Sequence, residues 1–213
     1  MSIDFTKWSG FSGDLEFTHV LDVRSPSEFD LDHIPGALNY PVLSDAERAE
    51  VGTLYKQEPF QARKVGAALI ARNIAAMLEG PLKQMDGSFY PLIYCWRGGQ
   101  RSQSLALILE QIGFRVSVIE GGYKSYRQDI VSQLETLPGK LDLRILSGFT
   151  GTCKTEILNL MKVRGFQVLD LEGLAKHRGS LLGIARDEEQ PSQKWFESQL
   201  AAEIASFDTA RPV

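Results

Sequence analysis

No stretch of the chain approaches the roughly 20 consecutive apolar residues that a helix needs to cross a membrane. The opening, MSIDFTKWSGFSGDLEF, lacks both the basic start and the apolar core of a secretory leader. A cytoplasmic protein is therefore expected. Cysteine is scarce: Cys95 and Cys153 are the only two in 213 residues, which excludes a disulfide-dense secreted framework. Each lies in a glycine-rich motif, so reduced thiols are expected. Positive charge is not in excess either, and a net charge of −4 argues against a polyanion partner for the chain as a whole. Internal repeats and low-complexity segments are missing too, which excludes solenoid and linker-like architectures.

What is present is the composition of a globular protein, 43% apolar and 23% charged, in a chain long enough for one large domain or two small ones. Charge is unevenly spread. Residues 1–60 hold eleven acids against four bases (Lys7, Arg24, Arg48, Lys56), whereas residues 91–130 hold five bases (Arg97, Arg101, Arg115, Lys124, Arg127) against three acids. Positive charge gathers around Cys95.

Apolar runs alternate with helical patterns, which indicates an α/β fold built on a parallel sheet. THVLDVR (18–24) reads as a buried strand, followed by a loop with a short helix and a Pro-Gly turn. FQARKVGAALIARNIAAMLEG (60–80) predicts a long helix that stops at a glycine. PLIYC (91–95) predicts a short strand delivering Cys95 at its C-terminal end, where open α/β sheets place their ligands. RSQSLALILEQIG (101–113) then predicts a helix, and FRVSVIEGGYKSYR predicts a strand, a glycine turn and a helix running to about Leu137. LPGK (137–140) breaks the pattern, giving domains at 1–137 and 138–213. The second begins with a predicted strand, LDLRILSG. It continues with a helix from Lys154 to about Arg164, a strand FQVLDLE (166–172) and a helix SQKWFESQLAAEIASF (192–207). So few strands cannot cover a doubly wound sheet, so further chain is expected after Val213.

Two motifs carry chemistry. In YCWRGGQRS (94–102) a thiolate at Cys95 is the candidate nucleophile, and a loop of amides at a helix N-terminus with Arg97 and Arg101 nearby suits an anionic group on sulfur. Gly98 and Gly99 let backbone N–H groups turn inward. The plainer reading of a cysteine after a strand is buried packing. GFTGTCKT (148–155) has the strand-loop-helix context of a phosphate-cradling P-loop. There Gly148 and Gly151 permit the turn, the loop amides, that of Thr150 among them, face the phosphates, Lys154 neutralises charge, and Thr155 can bind Mg²⁺. Cys153 stands where the pattern G-x-x-x-x-G-K-[ST] has glycine. Asp170 is either the acidic partner of a metal or a solvated strand end, and His177 and Arg178 are either phosphate or substrate contacts or structural.

LDVRSPSEFDLDHIPGALNYP resembles the N-terminal signature of the rhodanese family and GFRVSVIEGGYKSYR the C-terminal one, with Cys95 between them as the sulfur-carrying residue. The resemblance implies a rhodanese-like parallel sheet domain followed by an incomplete P-loop α/β domain. The Cys95–Arg101 loop is one residue longer than in most sulfur-transferring rhodaneses and resembles that of rhodanese-fold phosphatases, which admit a tetrahedral oxyanion. Together with GFTGTCKTEIL, VLDLEGLAKHRGSLLG and QPSQKWFE, these segments resemble the tRNA 2-selenouridine synthase family over nearly the whole chain.

That resemblance implies replacement of sulfur by selenium in wobble 2-thiouridine of tRNA, with selenophosphate as donor and geranyl diphosphate as the source of an S-geranylated intermediate. Cys95 would take or position selenium, while Arg97, Arg101 and the amides of Gly98, Gly99 and Gln100 hold phosphate-like oxygens. Trp96 would shield the adduct or stack on a base. The P-loop would bind the prenyl diphosphate, and no tightly bound cofactor is implied. tRNA contact is expected on a face bearing Arg97, Arg101, Arg115, Lys124 and Arg127. Alternatives are a thiosulfate-type rhodanese, a Cys-x5-Arg phosphatase, and a non-catalytic binding module. Against the phosphatase, Tyr94 stands where such enzymes usually carry histidine.

Overall fold

The computed structural model describes residues 3–8, 10, 17–136, 138–149, 151–177 and 189–213. The chain divides into two compact units, residues 1–127 and 128–213.

The first unit is built on five parallel strands: β1 (Asp4–Thr6), β2 (His19–Asp22), β3 (Leu38–Asn39), β4 (Pro91–Tyr94) and β5 (Ser117–Ile119), in the order β1-β5-β4-β2-β3. Parallel strands covered on both faces need apolar side chains in both directions. β4, PLIY, is accordingly buried at every position and pairs Ile93 with Leu21 on one side and Val118 on the other. Ser117, buried in β5, satisfies its hydroxyl against Tyr90 Oη at 2.9 Å.

Helices α1 (Pro26–Leu31), α2 (Asp45–Gln57), α3 (Pro59–Glu79), α4 (Gln100–Ile112) and α5 (Gly122–Thr136) follow the strands in turn. α1 and α2 each start on a capping box, Ser25 with Glu28 and Ser44 with Glu47. α3 starts at Pro59 and stops at Gly80, and α4 stops at Gly113 with φ +110°. Leu21, Val23, Ile74, Ile93, Leu105, Leu109 and Val118 lie in one fully enclosed core.

In the second unit α6 (Lys154–Val163) and α8 (Gln193–Ala205) match the predicted helices, and a short α7 (Leu171–Leu174) lies between them. The two predicted strands do not form among the described residues. Segment 142–149 forms no ladder: Arg144 N donates to Val213 O at 2.7 Å and Val213 N to Asp142 O at 3.0 Å, while the Gly148 and Phe149 carbonyls accept from the side chains of Lys154 and Thr152. A parallel strand needs hydrogen-bonding neighbours and cover on both faces. Here Ile145 and Phe149 are each 89% exposed, and FQVLD (166–170) has no ladder at all.

Candidate functional site

β4 ends at Tyr94, so Cys95 is the first residue past the C-terminal end of the central strand. Tyr94 is buried and its hydroxyl oxygen accepts a hydrogen bond from Ile34 N at 3.1 Å. Burial pushes its phenol well above the ordinary value, so it stays a neutral anchor for the HIPG segment. The Cys95 side chain turns inward and is 3% exposed. Its Sγ accepts from Gly99 N at 3.3 Å and lies 3.3 Å from Ser102 Oγ, which also donates to Gly99 O at 3.1 Å. The thiol thus sits beneath its own loop, with one amide aimed at sulfur.

The second glycine motif holds that loop in place. Tyr123 N donates to Cys95 O at 2.8 Å and Lys124 N to Trp96 O at 3.0 Å, so the first turn of α5 ties down two loop carbonyls. Gly98 has φ +65°, and a Cβ there would lie 2.5 Å from Ile119 O. Gly122 has φ +58°, and its Cβ would run into Cys95 O and sit 2.5 Å from Gly98 N. Gly99 differs from its neighbour. Its φ is −95° and a Cβ would meet nothing within 4 Å, so only the first glycine of the pair is needed for the turn.

The loop cations separate. Arg97 is exposed and forms no hydrogen bond or ion pair among the described residues. Arg101 is instead engaged: its Nη1 donates to Glu28 Oε2 at 2.8 Å, and Arg48 Nε donates to the same oxygen at 2.8 Å. Partial burial alone would raise the Glu28 carboxyl, but the hydrogen bonds and charges of Arg101 and Arg48 outweigh it and hold the group below its usual range. Sequence reasoning missed Glu28, whose only signal is its place three residues after Ser25 in SPSE. The amide of Gln100 opens α4, while its side chain is exposed.

Trp96 is 38% exposed and its ring lies 5.2 Å from that of Tyr123. The Tyr123 ring in turn carries the Arg24 guanidinium, 4.0 Å from its centroid. Arg24 is itself buried, paired with Asp22, and donates to Asp32 O at 2.7 Å, while Tyr123 Oη donates to Asp32 Oδ2 at 2.6 Å. Burial works against the Arg24 charge, yet the Asp22 hydrogen bond and charge win and raise its pKa. A buried ionic column therefore backs an exposed indole.

One expected surface does not assemble. Arg115 packs over the Tyr90 ring at 4.3 Å, and Tyr90 precedes β4, so Arg115 belongs to the N-terminal edge of the sheet. Cys95, Arg97 and Lys124 belong to the opposite edge, a strand length of roughly 13 Å away at about 3.3 Å per residue. Lys124 is exposed in the first turn of α5, with Arg127 one turn further along.

In the second unit Lys154 Nζ donates to Gly148 O and Phe149 O, each at 2.8 Å, and Thr152 Oγ1 donates to Phe149 O at 2.8 Å. Gly151 has φ +83°, and a Cβ at Gly148 would press on Thr152 Oγ1 at 2.8 Å. Cys153, immediately before α6, adopts φ +55°, the left-handed conformation that glycine would adopt freely. Thr155 is exposed in the first turn of α6. Asp170 caps α7, its Oδ1 accepting from Gly173 N at 3.0 Å, and His177 N donates to Glu172 O at 2.9 Å. Thr150 and Arg178 lie outside the described residues. Among the described residues no group of three or more His, Cys, Asp or Glu side chains could hold a metal, and no helix is long and apolar enough to cross a membrane.

A thiol held under the Gly99 amide of its own loop, at the end of a buried central strand in a parallel sheet, stands where α/β domains of this kind place their reactive groups. Residues 11–129 match the family model of the rhodanese-like domain, and the chain belongs to that family. Residues 141–212 match the model described as the tRNA 2-selenouridine synthase AAA domain. Relatives named tRNA 2-selenouridine synthase include one from Shewanella halifaxensis, 39% identical over 191 residues, covering 87% of this chain and 50% of that protein. Another, from Bdellovibrio bacteriovorus, is 38% identical over 187 residues, covering 87% of this chain and 48% of that protein. The chain thus spans about half the length of the curated relatives it matches. A solved N-terminal domain from Clostridium difficile 630 is 34% identical, with a TM-score of 0.47, over 53% of this chain and 88% of that one.

Proposed function

We propose that the protein, divided near residue 137 into a rhodanese-like and a P-loop domain, acts in the cytoplasm as a tRNA 2-selenouridine synthase. It would exchange the sulfur of wobble 2-thiouridine for selenium delivered as selenophosphate. The observation that carries this reading is the Cys95 thiol under the Gly99 amide, in a rhodanese-like domain followed by a match to the tRNA 2-selenouridine synthase AAA domain.

Cys95 is the residue assigned to take or position selenium. Arg97, with no side-chain partner among the described residues, is the cation assigned to the phosphate-like oxygens, and Arg101 joins it on leaving Glu28. Trp96 is assigned to the base or to shielding the adduct, and its exposure over Tyr123 supports that role. The loop from Gly148 to Thr155 is assigned to the diphosphate of geranyl diphosphate. Lys154 there already satisfies two loop carbonyls and would exchange them for phosphate oxygens. Mg²⁺ fits the single exposed hydroxyl of Thr155, since this ion takes most of its ligands from phosphates and water. Transfer of the geranyl group to sulfur, with diphosphate leaving, makes the sulfur a better leaving group before selenium enters.

The test is mass spectrometry of wobble uridine in cells lacking the protein and supplied with selenium. Re-expression with an intact Cys95 is expected to restore 2-selenouridine, and Cys95→Ala is expected not to. Restoration by Cys95→Ala overturns the assignment. Thiosulfate:cyanide turnover without any effect on tRNA establishes the thiosulfate-type reading instead.

A further inference from the structure

Tyr123, the residue after the second glycine pair, takes no part in the chemistry above, yet it meets the cysteine loop twice. Its N–H donates to Cys95 O at 2.8 Å, and its ring lies 5.2 Å from the Trp96 indole at an interplanar angle of 31°. A phenylalanine would keep both of these contacts and the place under the Arg24 guanidinium. What a phenylalanine lacks is the hydroxyl, which donates to Asp32 Oδ2 at 2.6 Å, so the function of Tyr123 turns on that bond. Burial, then the hydrogen bond and charge of Asp32, push the phenol far above its ordinary value, and the hydroxyl remains a donor.

Asp32 is not needed to neutralise Arg24. Asp22 already does so through both oxygens, with Arg24 Nε donating to each at 3.0 Å, and Arg24 reaches Asp32 only at its main-chain oxygen. The Asp32 carboxyl is nevertheless 1% exposed, and the Tyr123 hydroxyl is its one hydrogen-bond donor among the described residues. Its second oxygen, Oδ1, is buried with no partner among them. Burying a carboxyl with a single donor is unfavourable, and apolar side chains of similar size at both positions would avoid that penalty. What the pair adds is direction: ring contacts tolerate sliding, whereas a short hydrogen bond fixes the angle at which the ring stands. We infer that Tyr123 is a positioning residue of the thiol site, its hydroxyl held by Asp32 so that its ring sets the stance of the Trp96 indole beside Cys95. Asp32 is the C-cap of α1, so the tether joins the cysteine loop to the end of that helix. The inference rests on the Cys95 loop as the reacting site and is independent of which group the thiol carries.

The experiment is a ¹H–¹⁵N spectrum of the whole chain, in which the three tryptophans give three indole N–H cross-peaks, that of Trp96 being identified by its loss in Trp96→Phe. Asp32→Ala, which leaves both rings in place, is expected to displace or split the Trp96 cross-peak, and Tyr123→Phe to do the same. Asp32→Asn, which keeps an oxygen to accept from the hydroxyl, is expected to retain the wild-type position. In the variants with a displaced cross-peak, iodoacetamide alkylation of Cys95, followed by mass spectrometry of its own peptide, is expected to be faster by about threefold or more as the loop loosens. A lowered denaturation midpoint in Asp32→Ala with the Trp96 cross-peak and the alkylation rate both unmoved makes the pair purely structural and overturns the inference. Equal displacement in Asp32→Asn and Asp32→Ala overturns it as well. Should Tyr123→Phe or Asp32→Ala not fold, comparison of the other with Asp32→Asn decides. If cross-peak and alkylation respond as expected and the chain with intact Cys95 does not restore 2-selenouridine in cells, the role of Tyr123 stands and the tRNA reading falls.

Discussion

Arg101 and Glu28 are 73 residues apart in the chain and 2.8 Å apart in space, an ion pair that couples the end of the cysteine loop to the first turn of α1. The same Glu28 oxygen holds Arg48 of α2, so a single carboxylate joins three helices. Because its folded-state pKa lies below the ordinary 4.5, its ionised form stabilises the fold above that pH, and the stabilisation is lost as pH falls through the lower folded value. Glu28→Gln is therefore expected to cost about 1–2 kcal/mol at neutral pH. The difference from wild type should shrink toward zero in acid. Urea denaturation across pH checks this, and a pH-independent difference would contradict it.

The glycines of the loop are predicted to differ sharply. Gly122→Ala places a methyl against Cys95 O in a left-handed backbone and is expected to cost more than about 2 kcal/mol. Gly99→Ala has open space and an ordinary φ, so about 0.5 kcal/mol or less is expected. Paired thermal denaturation curves give the comparison, and similar losses would refute the loop geometry.

Cys153 occupies a left-handed conformation that a side chain makes costly. Cys153→Gly is expected to stabilise the chain by about 1 kcal/mol and to tighten diphosphate binding, because the backbone then approaches phosphate without a Cβ in the way. Denaturant midpoints and a diphosphate titration test the two effects separately.

For tRNA, the double change Lys124→Ala with Arg127→Ala is expected to lower affinity and to make the dependence of log K on log salt shallower by about 1–2. Arg115→Ala, at the other edge of the sheet, is expected to leave both unchanged. Filter binding at several salt concentrations decides it, and an unchanged slope in the double variant would show that the tRNA face lies elsewhere.

The central strands were readable because a strand buried on both faces is a near-continuous apolar run, as PLIY is and as SVI is after Ser117. β1 was not, since three residues at a sheet edge with two of them exposed carry too little pattern. α2 buries none of its residues fully, so no apolar period marks it, and this helix was not anticipated from the sequence. The apolar runs of the second unit were read correctly as apolar, but strand formation also needs partners that the described residues do not supply. At the site, Cys95, Gly98 and the second glycine motif were legible as local spacing. Glu28 was not, because its pairing with Arg101 is purely tertiary. Arg115 was misplaced for the converse reason: neighbours in sequence across a strand end up at opposite edges of a sheet.

The indole of Trp96, next in sequence to Cys95 and leaning on Tyr123, has one further consequence. Any rearrangement of the loop when that thiol is loaded would change the surroundings of this ring and so its emission. With Trp8 and Trp195 replaced, emission from the remaining ring would follow loading and unloading in real time, without any label.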